Sequence, residues 1–99
     1  MITNAYFVYL LASARNGTLY IGLSSDLLRR VGEHRNHVVP GFTKKYNVTR
    51  LMWFEAHDNL LAARQRERQI KAWKRAWKIE LFRDSNPNWD DLYPSLANS

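Results

Sequence analysis

The chain contains no cysteine. Disulfide bridges, thiolate zinc sites and cysteine nucleophiles are thereby excluded. Long apolar runs are missing too: the longest, Ala5 to Ala12, is too short to cross a bilayer. Nothing basic precedes that run and the pair Asn16-Gly17 follows it closely, unlike a secretory signal. The expectation is a cytoplasmic protein with no membrane association. Internal repeats and low-complexity tracts are absent, and 99 residues suffice for one domain with a real core. Acidic residues are the minority charge, 9 against 15 Lys plus Arg, leaving a net +6. Such a surplus favours polyanionic partners through counterion release, although a basic surface can also be merely solvated.

The remaining composition is globular, 45% hydrophobic with four tryptophans. Ala5 to Ala12 reads as a buried strand. Asn16-Gly17 marks a turn, since both residue types tolerate positive φ, and Thr18 to Gly22 reads as the returning strand. Alternation with period two would put Tyr9 and Tyr20 on one face of this hairpin unless a bulge intervenes. Ser24, Ser25 and Asp26 can cap a helix with Leu27, Leu28 and Val31 on its apolar side. Arg30 and His34, four apart, share one flank of it. Residues 37–46, with Pro40-Gly41, read as a loop, and 48–56 as a third strand with Leu51 and Trp53 in the core. A second helix starts at Asp58 or Asn59. Its stripe is Leu60, Ala63, Glu67 and Ile70, extended by Trp73, Trp77 and Leu81, with a break allowed near Lys74. Asn86-Pro87 closes the helical part. The domain is expected over 4–85, with a C-terminal tail over 86–99.

Glu67 therefore falls on or beside an apolar stripe, ringed by Arg64, Arg66, Arg68 and Lys71. A carboxylate in that position needs a partner. A salt bridge to Arg64 or Lys71 is one answer, solvation at the rim another, and a metal ion a third. One carboxylate completed by waters and phosphate oxygens suits Mg²⁺. Taken singly, Tyr9 and Tyr20 read as core aromatics with hydrogen-bonded hydroxyls, and Arg30 and His34 as surface residues. The joint pattern is more telling: two strand tyrosines, then Gly22, Arg30 and His34, then an inward glutamate on a basic helix.

That pattern resembles the GIY-YIG nuclease family. Tyr20-Ile21-Gly22 matches the second family motif in full. Phe7-Val8-Tyr9 matches the first at its tyrosine, with Phe7 where the family's name has glycine. Arg30, His34 and Glu67 match the family's helical arginine, a histidine found in many members, and the metal-binding glutamate. The likeness runs from Ala5 to Phe82 and is closest to small single-domain bacterial members. Some relatives carry a further asparagine after the glutamate; Ile79 and its neighbours offer none. The resemblance implies an α+β fold, a small three-stranded antiparallel sheet flanked by helices. It also implies metal-dependent phosphodiester hydrolysis in DNA, in a setting such as repair or recombination. Glu67 would hold one Mg²⁺ (or Mn²⁺), and Arg30 would neutralise charge on the phosphoryl oxygens. A tyrosine, Tyr20 before Tyr9, would orient or deprotonate the attacking water, with His34 as proton acceptor.

Phosphate contacts are expected from Lys44, Lys45, Arg64, Arg68 and Lys71, whose setting offers no base-reading geometry. DNA is the expected partner and RNA the alternative. No small-molecule cofactor is expected, and a protein partner could supply targeting. Two rival readings remain: a nucleic-acid-binding module with weak or partner-dependent catalysis, and an interaction domain presenting Trp73 and Trp77.

Overall fold

In the computed structural model, residues 5–98 are described. The start expected at Asn4, and Ser99 at the other end, lie outside them. The chain runs β1 (Tyr6–Ala12), β2 (Leu19–Ser24), α1 (Leu27–Arg35), α2 (Phe42–Tyr46), β3 (Arg50–His57), α3 (Leu60–Ala72), α4 (Arg75–Glu80) and α5 (Tyr93–Ala97). The strands form one antiparallel sheet in the order β2-β1-β3. This is the expected α+β architecture.

The sequence of β1 explains its central place. A strand covered on both faces needs apolar side chains on both, and Val8 through Ala12 are all buried. Val8, Leu10 and Ala12 face a layer built from α3, α4 and the turn after them, with Ala63, Ile70, Phe82 and Trp89. Tyr9 and Leu11 face the other layer, with Leu27 and Val31 of α1 and partly buried side chains of α5. The sheet thus separates two apolar clusters, and the tyrosines belong to the α1 side.

The hairpin loop is longer than a two-residue Asn-Gly turn. Ser13 N–H donates to the Thr18 carbonyl at 3.0 Å, and Gly17 N–H to the Ala14 carbonyl at 2.9 Å. Only Asn16 of the pair takes positive φ, at 60°. Register nevertheless keeps parity: Tyr9 pairs with Gly22 and Leu11 with Tyr20, with no bulge between β1 and β2. The irregularity falls on the other side, where β1–β3 pairing shifts between Leu10 and Leu11.

Helix α1 begins as its sequence directs, with the Asp26 carboxylate accepting from Arg29 N–H at 3.2 Å. Asn59 caps α3 in the same way, accepting from Ala62 N–H at 3.0 Å. Several details differ from expectation. Residues 42–46 form the helix α2 rather than loop. The third strand is shifted to Arg50–His57. Leu28 is 40% exposed and Leu60 38%, so neither belongs to the core. The chain breaks at Trp73, the C-cap of α3, and restarts at Arg75. That break resets the helical phase. Trp73 is half-buried, whereas Trp77 is 49% exposed and has left the core stripe.

After Asn86 the chain is tied down. Trp89 is buried edge-on against Phe82, with ring centroids 4.9 Å apart. Asp91 accepts from the backbone N–H of Leu51 and of Tyr93, both at 3.0 Å, and pairs with Arg35. The Arg35 guanidinium also lies over the Tyr93 ring. Among the described residues no helix is long and apolar enough to cross a membrane.

Candidate active site

The central strand, the edge strand and α1 bring three rings together. Ring centroids lie 6.4 Å apart for Tyr9 and Tyr20, 5.9 Å for Tyr9 and His34, and 5.5 Å for Tyr20 and His34. Gly22 makes this arrangement possible. It sits directly opposite Tyr9 in the ladder, and a Cβ there would lie 2.4 Å from both Cζ and the hydroxyl oxygen of Tyr9. Only a residue without a side chain lets the Tyr9 ring lie across β2, so the Tyr-Ile-Gly motif has a steric reason for its last letter.

Tyr9 and Tyr20 stand in unlike surroundings. Tyr9 is 1% exposed, with its hydroxyl 3.0 Å from His34 Nε2. Burial pushes its pKa up, and the Tyr20 and Glu67 charges push the same way. The Arg30 guanidinium acts in the opposite sense through a hydrogen bond and its charge. Tyr20 is only half-buried, and its hydroxyl makes no hydrogen bond among the described residues. The outer face of its ring stacks on Phe42 of α2, with planes inclined 23°.

Arg30 donates to Glu33 Oε1 at 3.2 Å and is half-buried. Burial opposes its charge, but the hydrogen bonds and charges of Glu33 and Tyr9 outweigh that and hold it firmly protonated. His34 is fully buried rather than at the surface, and its pKa is lowered, first by burial and then by the Arg30 charge. Its second nitrogen, Nδ1, is 2.9 Å from Thr43 Oγ1. Thr43 is 2% exposed and was hidden from sequence reasoning because it lies in the segment read as loop. Gly41-Phe42-Thr43 carries no side-chain cap that would have announced a helix.

Glu67 comes from the opposite layer. Helix α3 lies against β2 and β1, with Ala63 and Ile70 buried on either side of Glu67 along its face. Its carboxylate is 20% exposed and meets Lys71 Nζ at 3.0 Å. Its charge is nevertheless felt at the Tyr9 hydroxyl, on the other side of the sheet's β2 edge. Among the described residues no three His, Asp or Glu side chains converge as a closed metal cage. A single, partly exposed carboxylate fits a hard divalent ion that keeps most of its waters and takes substrate oxygens. It does not fit a four-ligand structural site.

The expected phosphate contacts divide between two places. Lys44 and Lys45 are exposed on α2, the helix that carries Thr43 and so borders the site. Arg64, Arg68 and Lys71 are exposed on α3 around Glu67. Arg66 is different: its guanidinium donates to Glu55 at 3.0 Å and lies over Trp73, away from this group.

This fold and this cluster define a GIY-YIG domain. The family model described as "GIY-YIG catalytic domain" matches residues 5–80, and the chain belongs to that family. Among curated proteins it is similar to the UPF0213 protein of Natronomonas pharaonis, 37% identical over 79 residues that cover 80% of this chain and 92% of the relative. It is also similar to the UPF0213 protein of Pediococcus pentosaceus, 33% identical over 91 residues that cover 92% and 95%. The solution NMR structure of a UPF0213 protein from Bacillus halodurans has the same fold, with a TM-score of 0.54 and 23% identity over 88% of this chain and 92% of that one.

Proposed function

We propose that the protein is a metal-dependent endonuclease that hydrolyses phosphodiester bonds in DNA, serving repair or recombination. The observation that carries this reading is the meeting of Tyr9, Tyr20 and His34 beside Arg30, with the Tyr9 hydroxyl also feeling the Glu67 charge. A binding surface alone has no use for a half-exposed phenol set against a buried imidazole and a fixed guanidinium.

Each side chain has a task in this scheme. Arg30, kept charged, holds the phosphoryl oxygens on which negative charge grows. Tyr20 faces solvent and its hydroxyl makes no hydrogen bond among the described residues, so it orients the attacking water and takes its proton while giving up its own toward Tyr9 and His34. Tyr9 is held too far toward its neutral form for that role and instead passes hydrogen bonding between the site and His34. Glu67 would hold Mg²⁺ or Mn²⁺. When bound, the ion supplies Lewis-acid polarisation of the phosphate and stabilisation of the leaving oxygen. Lys44, Lys45, Arg64, Arg68 and Lys71 would grip flanking phosphates.

One contact favours a second reading. Lys71 occupies Glu67 at 3.0 Å, as a structural ion pair would, which fits a module that binds nucleic acid without cutting it. Cleavage of a panel of duplex, branched and single-stranded DNA, and of RNA, with Mg²⁺, Mn²⁺ or chelator separates the two. Metal-dependent cutting supports the nuclease. Binding across the panel with no product under either metal supports the module.

A further inference from the structure

Thr43 touches the candidate site at its deepest point, and its role follows from counting protons. His34 is fully buried between two hydroxyls, Tyr9 at 3.0 Å from Nε2 and Thr43 at 2.9 Å from Nδ1. Burial and the Arg30 charge keep the imidazole neutral, so one ring nitrogen donates and the other accepts.

Two assignments are available. In the first, Nε2–H donates to Tyr9 and the Thr43 hydroxyl donates to Nδ1. The Tyr9 proton is then stranded. Tyr9 is 1% exposed, and the other polar group against its hydroxyl, the Arg30 guanidinium, has only donors to offer. A buried donor with no acceptor is costly. In the second assignment, Tyr9 O–H donates to Nε2 and Nδ1–H donates to Thr43 Oγ1. Both protons find acceptors, and the Tyr9 oxygen keeps a lone pair for Arg30. The second arrangement leaves nothing unpaired.

We infer that Thr43 is a positioning residue: Tyr9 selects the tautomer whose Nε2 lone pair faces the tyrosine pair, and Thr43, by accepting from His34 Nδ1–H, holds the imidazole ring in that orientation. The second nitrogen of a working histidine commonly has its partner for this reason. The catalytic meaning of the lock rests on the nuclease reading given above. There, Tyr20 takes the proton that leaves the attacking water as it gives up its own to Tyr9, and the Tyr9 O–H proton moves onto the Nε2 lone pair, so both tyrosines end neutral. Nδ1 keeps its own proton, so one proton enters the imidazole and none leaves it. Thr43 is the buried residue of helix α2, so this contact ties α2 to the site together with the Phe42–Tyr20 stack.

The test is long-range ¹H–¹⁵N NMR of histidine-labelled protein, with His34 assigned by its loss in His34→Gln. Three histidines keep the spectrum simple. The wild type should show His34 protonated at Nδ1. Thr43→Val, which keeps the shape and removes the acceptor, should leave the proton on Nδ1 but strip its hydrogen-bonded shift and exchange protection, and Thr43→Ser should restore both. With a cleavable DNA, kcat should fall at least about 10-fold in Thr43→Val at unchanged KM, as for a base that has lost the partner orienting it, and recover in Thr43→Ser. A wild-type His34 protonated at Nε2 overturns the inference, as does a Thr43→Val spectrum in which the Nδ1–H resonance keeps its wild-type shift and exchange protection. The spectra decide the lock even if no DNA is cut, in which case the nuclease reading fails separately. Should Thr43→Val not fold, the wild-type spectrum by itself supports the lock with Nδ1–H or overturns it with Nε2–H.

Discussion

Tyr9 and Tyr20 are one residue type put to two uses by their surroundings, and removing a single oxygen from each distinguishes them. The Tyr20 hydroxyl has no protein partner among the described residues, so Tyr20→Phe should leave stability within about 0.5 kcal/mol. Its turnover should fall roughly 10²-fold, the scale of a positioned acid or base. Tyr9→Phe unpairs the buried Nε2 of His34, so it should cost about 1–3 kcal/mol of stability as well as activity. Urea melts and cleavage rates on the same preparations check both; a Tyr20→Phe that loses stability and keeps turnover would reverse the assignment. His34 gives a second residue-level expectation. Its folded pKa is depressed from the ordinary 6.5 by burial and by Arg30. The unfolded chain therefore takes up that proton first. The stability that neutral His34 contributes is full above the unfolded value and is lost as pH falls below it, until the folded imidazole also protonates. Between about pH 8 and about pH 5 the Tm of the wild type should fall more steeply than that of His34→Gln. Parallel curves would show that His34 is not held neutral.

At the scale of elements, the hairpin was legible in the sequence and α2 was not. The hairpin tolerated an error in loop length because its register moved by two residues, which returns each side chain to the same face. The motif glycine carried more information than the turn did: Gly22→Ala would drive a Cβ into the Tyr9 ring. That change should cost roughly 1–3 kcal/mol and displace Tyr9 from His34. Loss of the Tyr9–His34 contact should be visible in the His34 imidazole shifts, and an unperturbed Gly22→Ala would mean that the ring does not cross β2. Helix α2 escaped notice because five residues after Pro40-Gly41, with Gly41 at φ 103° and no side-chain cap, carry no start signal. Thr43 was hidden with it, since the burial of a threonine follows from tertiary contact rather than from spacing. Trp77 was misplaced for a related reason. Helical spacing alone carries the stripe across Trp73, whereas the backbone there turns extended and the phase starts afresh. Glu67 was legible because it lies before that break, between Ala63 and Ile70. The apolar face around it could be read, but its reach toward Tyr9 past the β2 edge depends on how α3 crosses the sheet.

Over the whole molecule, the sheet serves as a partition with the candidate site at one edge. Tyr9, Tyr20 and His34 lie in the α1 layer, and Glu67 comes from the α3 layer. The C-terminal segment braces the first of these through Asp91, Arg35 and Tyr93. It also accounts for Gly32 within α1: a Cβ there would come within 3.1 Å of the Tyr93 hydroxyl. The net charge of +6 is spread over both layers, with Lys44 and Lys45 on one and Arg64, Arg68 and Lys71 on the other. Nucleic-acid affinity should therefore depend steeply on salt and weakly on sequence. Each single change of these five residues to alanine should weaken binding modestly and reduce the salt slope by about one unit. Titrations at several salt concentrations check this; a slope that no single change alters would remove the proposed phosphate contacts.

The central claim is that Glu67 and the tyrosine–histidine cluster form one reaction centre, and the split between binding and cutting in Glu67→Ala tests it most directly. Single-turnover cleavage and equilibrium binding should be measured on the same DNA with Mg²⁺, for wild type and variant. The account predicts that the cleavage rate drops to background while affinity is held, or tightens as Lys71 is released toward phosphate. Wild-type cleavage by Glu67→Ala in the presence of metal would contradict it.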